Sequence, residues 1–362
     1  MSVLFAKPAR PKRMHHVVVY RREDEFSSWP FNGGMWKVDE NNILVAFMNH
    51  KCDYTIPGNL SHNRIETFGR IALARTADQG QTWQDPVTLA KNLEVTERIL
   101  YGREENSEPV DFFDPNVLLC CWSSPNSSNE RAKAWIKISQ DGGRTWGKAR
   151  RIPSFHFLRI QGRPSYILRP DGVLLLMLTA QGKNDPHDRP VVYASYDGGC
   201  NWTHMSYIAG SKDYRMICPS PIILKNGRII ASVRCKPTVF TGWTETYFSD
   251  DGGRTWSFLS RVNDSGAPGH LTLLKDGRIF CVYGYRRPPY GIRARISEDE
   301  GRSWGREWII RDDGGSFDLG YPRAVELSDN RVLMVYYFND ASDPVQANGG
   351  IRYIGATILE LP

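Results

Sequence analysis

One short pattern occurs five times in this 362-residue chain and leaves few folds open to it. The copies are TADQGQTW (76–83), SQDGGRTW (139–146), SYDGGCNW (195–202), SDDGGRTW (249–256) and SEDEGRSW (297–304). Each reads Ser/Thr-x-Asp-x-Gly-x-Thr/Ser/Asn-Trp. The Asp side chain accepts backbone N–H bonds from its own turn. The Gly adopts positive φ without a Cβ penalty. The Trp packs under the turn and keeps its indole N–H for a partner. Asp78, Asp141, Asp197, Asp251 and Asp299 are therefore read as hairpin builders and not as catalytic acids.

The unit recurs about every 50–60 residues, the mark of a repeat architecture. A second motif interleaves with it: VDENNILVAF (38–47), LRPDGVLLLML (168–178), LKNGRIIASV (224–233), LKDGRIFCVY (274–283) and LSDNRVLMVY (327–336). Asn-Gly and Asp-Gly between apolar runs signal hairpins. Each unit thus reads as strand, tight turn, strand, variable loop, strand, Asp-turn, strand. Such four-stranded meanders, set in a ring, form a β-propeller. Six units begin near Gly33, Glu108, Arg163, Pro219, Pro268 and Tyr321. The second carries Asp-Pro-Asn in FFDPNVLLCCW (112–122), and the sixth lacks an Asp-turn and ends in RYIGATILEL (352–361). The expectation is an all-β chain forming one domain over residues 1–362, a six-bladed propeller of four-stranded antiparallel blades. HHVVVYRR (15–22) would close the ring by joining the last blade.

A meander places its connections on two faces. The short turns share one face, and the longer, dissimilar loops share the other, where function usually sits. Inner-strand starts and second-strand ends point into the pit on that second face. They offer Asn32, loop 49–66 with His50 and Asp53, Glu108, Arg163, loop 180–190, Cys218, Arg234, the Arg286-Arg287 pair within 285–293, and the stretch 318–323 with Asp318 and Tyr321. Arginines gathered in a pit recognise a carboxylate or sulfate by bidentate hydrogen bonds.

The remaining composition narrows the partners. A net charge of +6 is scattered along the chain, which argues against nucleic acid and for a small acidic substrate. No apolar run reaches the length of a membrane span. Seven cysteines without C-x-x-C spacing read as buried thiols suited to a reducing compartment, with no zinc site. MSVLFAKPARPKRMHH lacks the apolar core of a secretory signal. The chain is therefore either cytoplasmic, or secreted or periplasmic with its signal peptide removed. No cofactor and no catalytic metal are expected.

These repeats and positions together resemble the sialidase (neuraminidase) superfamily, whose members fold as six-bladed propellers with Asp-box (BNR) repeats. The resemblance spans almost the whole chain. It implies an exo-acting glycoside hydrolase in which arginines bind the carboxylate of a terminal acidic sugar, a Tyr assisted by a Glu acts as nucleophile, and an Asp of a first-blade loop is the acid/base. SPIILKNGRIIASVR matches the segment that closes on a triad arginine, here Arg234. YGYRRPPYGIRARISEDEG matches the segment of the third, here Arg287 or Arg286. GYPRAVELSDNRVLMVYY places Tyr321 on the nucleophile, and the first-blade loop makes Asp53 the acid/base. The chain departs from the family at two points. PFNGGMW (30–36) replaces the opening Arg-Ile-Pro, leaving Arg163 to stand in for the first arginine, and Cys218 stands at the assisting Glu, leaving Asp318 or Glu108 as base. These departures imply a relative with altered acidic-sugar specificity. Two other readings stay open: a uronic-acid lyase using His50 or Tyr321 to remove the proton α to the carboxylate, and a non-catalytic glycan-binding propeller.

Overall fold

The computed structural model describes residues 6–56, 69–91, 108–124, 132–238, 241–346 and 349–361, and does not describe the side chains of Arg163 and Pro164. Blade 1 holds β2 (Glu25–Ser28), α1 (Pro30–Gly33), β3 (Gly34–Lys37), β4 (Ile43–Lys51), β5 (Arg70–Thr76) and β6 (Val87–Lys91), preceded in the chain by β1 (Met14–Tyr20). β2 and β3 both pair with β4 and share the innermost place, interrupted by α1. Blade 2 holds β7 (Leu118–Ser124), β8 (Lys133–Ser139) and β9 (Arg150–Arg151). Blade 3 holds β10 (Phe157–Leu168), β11 (Leu174–Gly182), β12 (Arg189–Ser195) and β13 (Thr203–Tyr207). Blade 4 holds β14 (Arg215–Ile223), β15 (Ile229–Lys236), β16 (Trp243–Ser249) and β17 (Ser257–Arg261). Blade 5 holds β18 (Gly269–Leu273), β19 (Ile279–Tyr285), β20 (Tyr290–Ser297) and β21 (Trp308–Gly314). Blade 6 holds β22 (Gly320–Glu326), β23 (Arg331–Phe338) and β24 (Tyr353–Glu360). β1 supplies its fourth strand, pairing antiparallel with β24 from Met14↔Leu359 onward, so the start and end of the described chain close the ring.

The second strand of each complete blade lies between neighbouring blades and is buried on both faces. That explains the continuous apolar runs ILVAF, LLLML, IIASV and VLMVYYF, which show no strict alternation. All seven cysteines are thiols and six are buried.

The five Asp-turns use one hydrogen-bond scheme. In the fourth, Asp251 Oδ1 accepts the Arg254 and Thr255 amides and the Ser249 hydroxyl, while Oδ2 accepts the Thr255 hydroxyl at 2.6 Å. In the first, third and fourth turns the Trp indole also donates to the turn glycine's carbonyl, as Trp256 does to Gly253 O at 3.1 Å. Gly253 sits at φ 95°, and a Cβ there would come within 3.2 Å of Leu175 in the preceding blade. Gly143, at φ 79°, would meet Leu44 of its preceding blade at 2.4 Å. The turns therefore clamp blade to blade, which accounts for their repetition.

The hydroxyl and amide of Thr145 hold Asp141 down to about 2. At Asp251 partial burial opposes the shift, but the Thr255 hydroxyl and amide and the Ser249 hydroxyl outweigh it and bring the carboxyl to about 2 as well. A carboxyl that titrates lower in the fold than its free value of 3.8 stabilises fully above that value, and the contribution drains as pH falls toward 2. Asp251→Ala is expected to cost about 1–3 kcal/mol at neutral pH, with the deficit shrinking in acid. Thermal melts from pH 7 to 2 check this. A deficit that stays constant with pH would assign the loss to packing instead.

Blade 2 differs from expectation. Among the described residues it has three strands, and Glu108–Asp111 form no inner strand. The Val110 amide bonds to Gly198 O in the third Asp-turn, on the short-turn face. Glu108, expected at the opposite mouth, thus stands exposed two residues from that contact. Without Asp-Gly there, Asp-Pro-Asn forms its own turn with Val117 N–H on Asp114 O, and the register counted from the other blades does not transfer.

Candidate functional site

Among the described residues, five inner strands carry an Xaa-Pro pair within them or just before them: Trp29-Pro30, Arg163-Pro164, Cys218-Pro219, Ala267-Pro268 and Tyr321-Pro322. Proline has no N–H for the ladder, so pairing breaks where it stands. The register slips between Gln161 and Ser165, between Ile217 and Ser220, and between Gly320 and Arg323. Such bulges re-aim a side chain. At three of the five entries the Xaa residue is driven into the left-handed region: Trp29 at φ 54°, Cys218 at 57° and Tyr321 at 47°. Bulky residues rarely take this conformation, and strain of that kind collects at functional sites.

Tyr321 is the centre of the mouth. Its ring lies 6.1 Å from Trp29, 6.3 Å from Phe31 and 6.1 Å from Tyr337. Two guanidinium groups flank it, Arg234 at 5.7 Å and Arg286 at 5.4 Å from the ring centroid. Arg234 Nη1 also donates to Tyr321 Oη at 3.0 Å. Arg286 Nη2 donates to Leu319 O at 2.9 Å, which ties it to the strand entry that carries Tyr321. Burial opposes the Arg286 charge, but the oxygens of Tyr337, Tyr321 and Asp318 outweigh burial and raise it above its usual range.

Beside this centre, Asp318 accepts the Tyr337 hydroxyl at 2.7 Å and meets Arg352 Nε at 3.3 Å, while its carbonyl accepts Asn339 Nδ2 at 2.7 Å. Burial first, then Asp318, pushes the Tyr337 phenol well up, so it stays a neutral donor. The Arg352 amide in turn donates to Tyr54 Oη at 2.8 Å. α1 lies under the mouth. A Cβ on Gly33 would stand 2.1 Å from Ala46 O, and only glycine lets the short helix press so closely on β4.

The expected residues separate into groups. Tyr321, Arg234 and Arg286 come together. Arg287 does not; it is exposed, past the end of β19. Arg163 has its backbone at the bulge of β10, and its side chain lies outside the described residues. Asp53 is exposed in a surface turn, where its Oδ1 accepts the Thr55 amide at 2.9 Å and hydroxyl at 2.6 Å. Those bonds hold it below the usual carboxylate range, the wrong direction for a proton donor at neutral pH. His50 is buried in β4 with its ring 5.4 Å from Phe26, so it belongs to the packing of blade 1. Glu108 is on the other face. Trp29, Tyr337 and Arg352 escaped the sequence reading. Trp29 shares the Xaa-Pro signature of Tyr321, and Tyr337 opposite Gly320 takes in blade 6 the register that Arg234 opposite Ile217 takes in blade 4.

A model of the BNR repeat-like domain family matches residues 67–334. Among curated proteins, a sialidase of Micromonospora viridifaciens is 28% identical over 272 residues, which cover 63% of this chain and 39% of that protein. A sialidase of Clostridium perfringens is 24% identical over 215 residues, 53% of each chain. The chain therefore spans about half or less of the curated relatives it matches. Among solved structures, a protein of unknown function from Dyadobacter fermentans has a TM-score of 0.77 at 24% identity, over 96% of this chain and 99% of that one. An α-L-arabinanase of Penicillium chrysogenum complexed with arabinobiose has a TM-score of 0.63 at 13% identity, over 95% and 97%. At these identities the two structures show a common fold.

Proposed function

The chain belongs to the BNR repeat-like domain family, within the sialidase superfamily of propellers, and from that premise we propose that it is an exo-acting glycoside hydrolase releasing a terminal carboxylated sugar. The observation that carries the reading is the convergence of Arg234 and Arg286, from two different blades, on the ring of Tyr321 in a third, at 5.7 and 5.4 Å from its centroid. Two guanidinium forks beside one phenol, Arg286 half-buried and Arg234 buried, suit a planar carboxylate. Tyr321 Oη gives up its proton and attacks the anomeric carbon as the bond to the leaving oxygen breaks, and that oxygen takes its proton from water. Water then hydrolyses the tyrosyl glycoside. A phenol suits an anomeric centre that bears a carboxylate, because it avoids the repulsion a second carboxylate would bring; sialidases are a recognised exception to the two-carboxylate scheme. With Cys218 where the resemblance puts the assisting acid, the hydrogen-bonded Asp318–Tyr337 pair, whose phenol ring lies 6.1 Å from that of Tyr321, is our candidate to take the proton of Tyr321.

The test is a panel of aryl glycosides: carboxylated sugars, their methyl esters, and the neutral α-L-arabinofuranoside suggested by the arabinanase likeness. Turnover is expected with the free acids and a drop of about 100-fold or more in kcat/KM with the esters, the loss of a charge-assisted bidentate pair. Cleavage of the arabinofuranoside alone would overturn the acidic-sugar assignment. Saturable binding of the acids without turnover would return the chain to a glycan-binding role.

A further inference from the structure

Residues 6–13 form a strap across the outer edges of blades 5 and 6. Ala9 pairs in parallel with Trp308; its amide donates to Glu307 O at 3.1 Å and its carbonyl accepts the Ile309 amide at 2.8 Å. Pro11 is buried, and Pro8 and Pro11 each fix their own φ, so the strap has little freedom left to lose. Beyond it β1 begins at Met14, opposite Leu359 of β24. The Leu361 amide, just past β24, donates to Asn330 O in the tight turn of blade 6. The strap therefore runs along the short-turn end of the ring's flank, away from Tyr321 and the mouth.

Lys7, Arg10, Lys12 and Arg13 on the strap are all exposed, and so is Arg306, two residues before β21. The parallel direction of the Ala9–Trp308 pairing brings Lys7 to the Arg306 end of β21. Lys12 and Arg13 follow where the chain crosses to blade 6. Asp312 answers Arg10 at 2.5 Å, and Glu360 answers Arg13 at 3.0 Å. Arg13 and Glu360 are 79% and 45% exposed, so their pair is worth little and opens readily to another anion. Charges that are scattered along the sequence are thus gathered by folding into one basic row on one edge. An extended row of cations on the convex edge of a ring suits a flexible linear polyanion, which bends to follow it. A flat bilayer or a stiff duplex meets only part of such a row.

We propose that this strap, together with Arg306, binds a linear polysaccharide bearing repeated carboxylate or sulfate groups, and so tethers the protein to a polymer whose chain end the mouth processes. The choice of a polysaccharide rests on the acidic-sugar reading of the mouth; the surface itself does not. Each contacted charge releases counterions from the polymer, which makes the binding steeply salt-dependent.

The probes are end-labelled heparin oligosaccharides, which are sulfated, and oligogalacturonate, which carries carboxylates alone. Fluorescence anisotropy follows each on titration with the full chain, from about 50 to about 200 mM sodium chloride. Neutral dextran, a short DNA duplex and phosphatidylserine vesicles are the comparisons. At least one acidic probe is expected to bind, with a log–log salt slope of about 2–3 in magnitude, as three or four contacted charges imply. Dextran should not bind. Lys7→Gln, Lys12→Gln and Arg306→Gln combined are three surface changes that leave the fold intact. They should weaken binding by about tenfold or more at low salt and cut the slope by about 2, with turnover of small aryl glycosides as in wild type. An acidic monosaccharide should not displace the polymer. Binding of neither acidic probe at low salt, or equal binding by the triple variant, would overturn the proposal even where acidic glycosides are turned over. Duplex or vesicles bound as tightly as the acidic polymers would overturn the partner's class. Polymer binding without turnover of any acidic glycoside would remove the reading of the mouth and keep the strap.

Discussion

Tyr321→Phe is expected to lower kcat on the carboxylated aryl glycosides by about 10³-fold or more, roughly 4 kcal/mol of transition-state stabilisation, while KM changes little. The change removes one oxygen. The ring contacts with Trp29, Phe31 and Tyr337 are all available to Phe, and the backbone at φ 47° is no harder for Phe to adopt than for Tyr. Among the described contacts the structural loss is the Arg234 hydrogen bond at 3.0 Å, worth about 1–3 kcal/mol when one partner is deleted. The domain should still melt cooperatively, within a few degrees of wild type. Kinetics and calorimetry on the same preparation separate the two effects. If turnover tracked only the loss of stability, Tyr321 would be a packing residue and the nucleophile would lie elsewhere. Mass spectrometry of wild type quenched during turnover of a slow fluorinated substrate should find the sugar on the peptide that contains Tyr321.

The ring was legible because its determinants are local. An Asp, a Gly and a Trp within eight residues suffice to write a turn, and five such turns with interleaved Asp-Gly or Asn-Gly hairpins fix blade count and strand order together. The pairing of HHVVVYRR with the last blade followed from the missing strand of that blade. The mouth was legible only where counting from those turns reaches it. Arg234 lies a fixed number of residues beyond Asn226-Gly227, and Tyr321 a fixed number before Asp329-Asn330, so strand length alone delivers both. Between Arg286 and Arg287 the choice depends on side-chain parity past the end of β19, where the ladder has stopped and Pro288-Pro289 follows. Strand alternation does not reach that far, and the fold selects Arg286 through Leu319 O. Asp53 carried a sign that was missed: a Thr two residues on makes an Asx turn, and that turn consumes the carboxylate. Glu108 failed because its blade lacks the Asp-Gly turn from which the count begins. That Arg323 and His270 line one cavity was invisible, since nothing local links residues 53 apart.

Arg234→Lys is expected to separate recognition from reaction. Lys keeps the charge but replaces a planar fork by a single mobile ammonium, so a bidentate carboxylate contact is lost while the field in the pit survives. The substitution also takes away the guanidinium donor that now fixes Tyr321 Oη. For the free-acid substrates kcat/KM should fall by about 10²–10³-fold, or 3–4 kcal/mol, mostly through KM. For the methyl esters, which offer no anion to grip, the fall should be about tenfold or less, the share owed to positioning the phenol. Burial works against any replacement here, because Arg234 is 2% exposed and flanked by β14 and β16, so the variant's melting point must be measured beside its kinetics. Equal losses with acid and ester would show that Arg234 only orients Tyr321, and carboxylate binding would then rest on Arg286, for which the same pair of substrates with Arg286→Lys gives the answer.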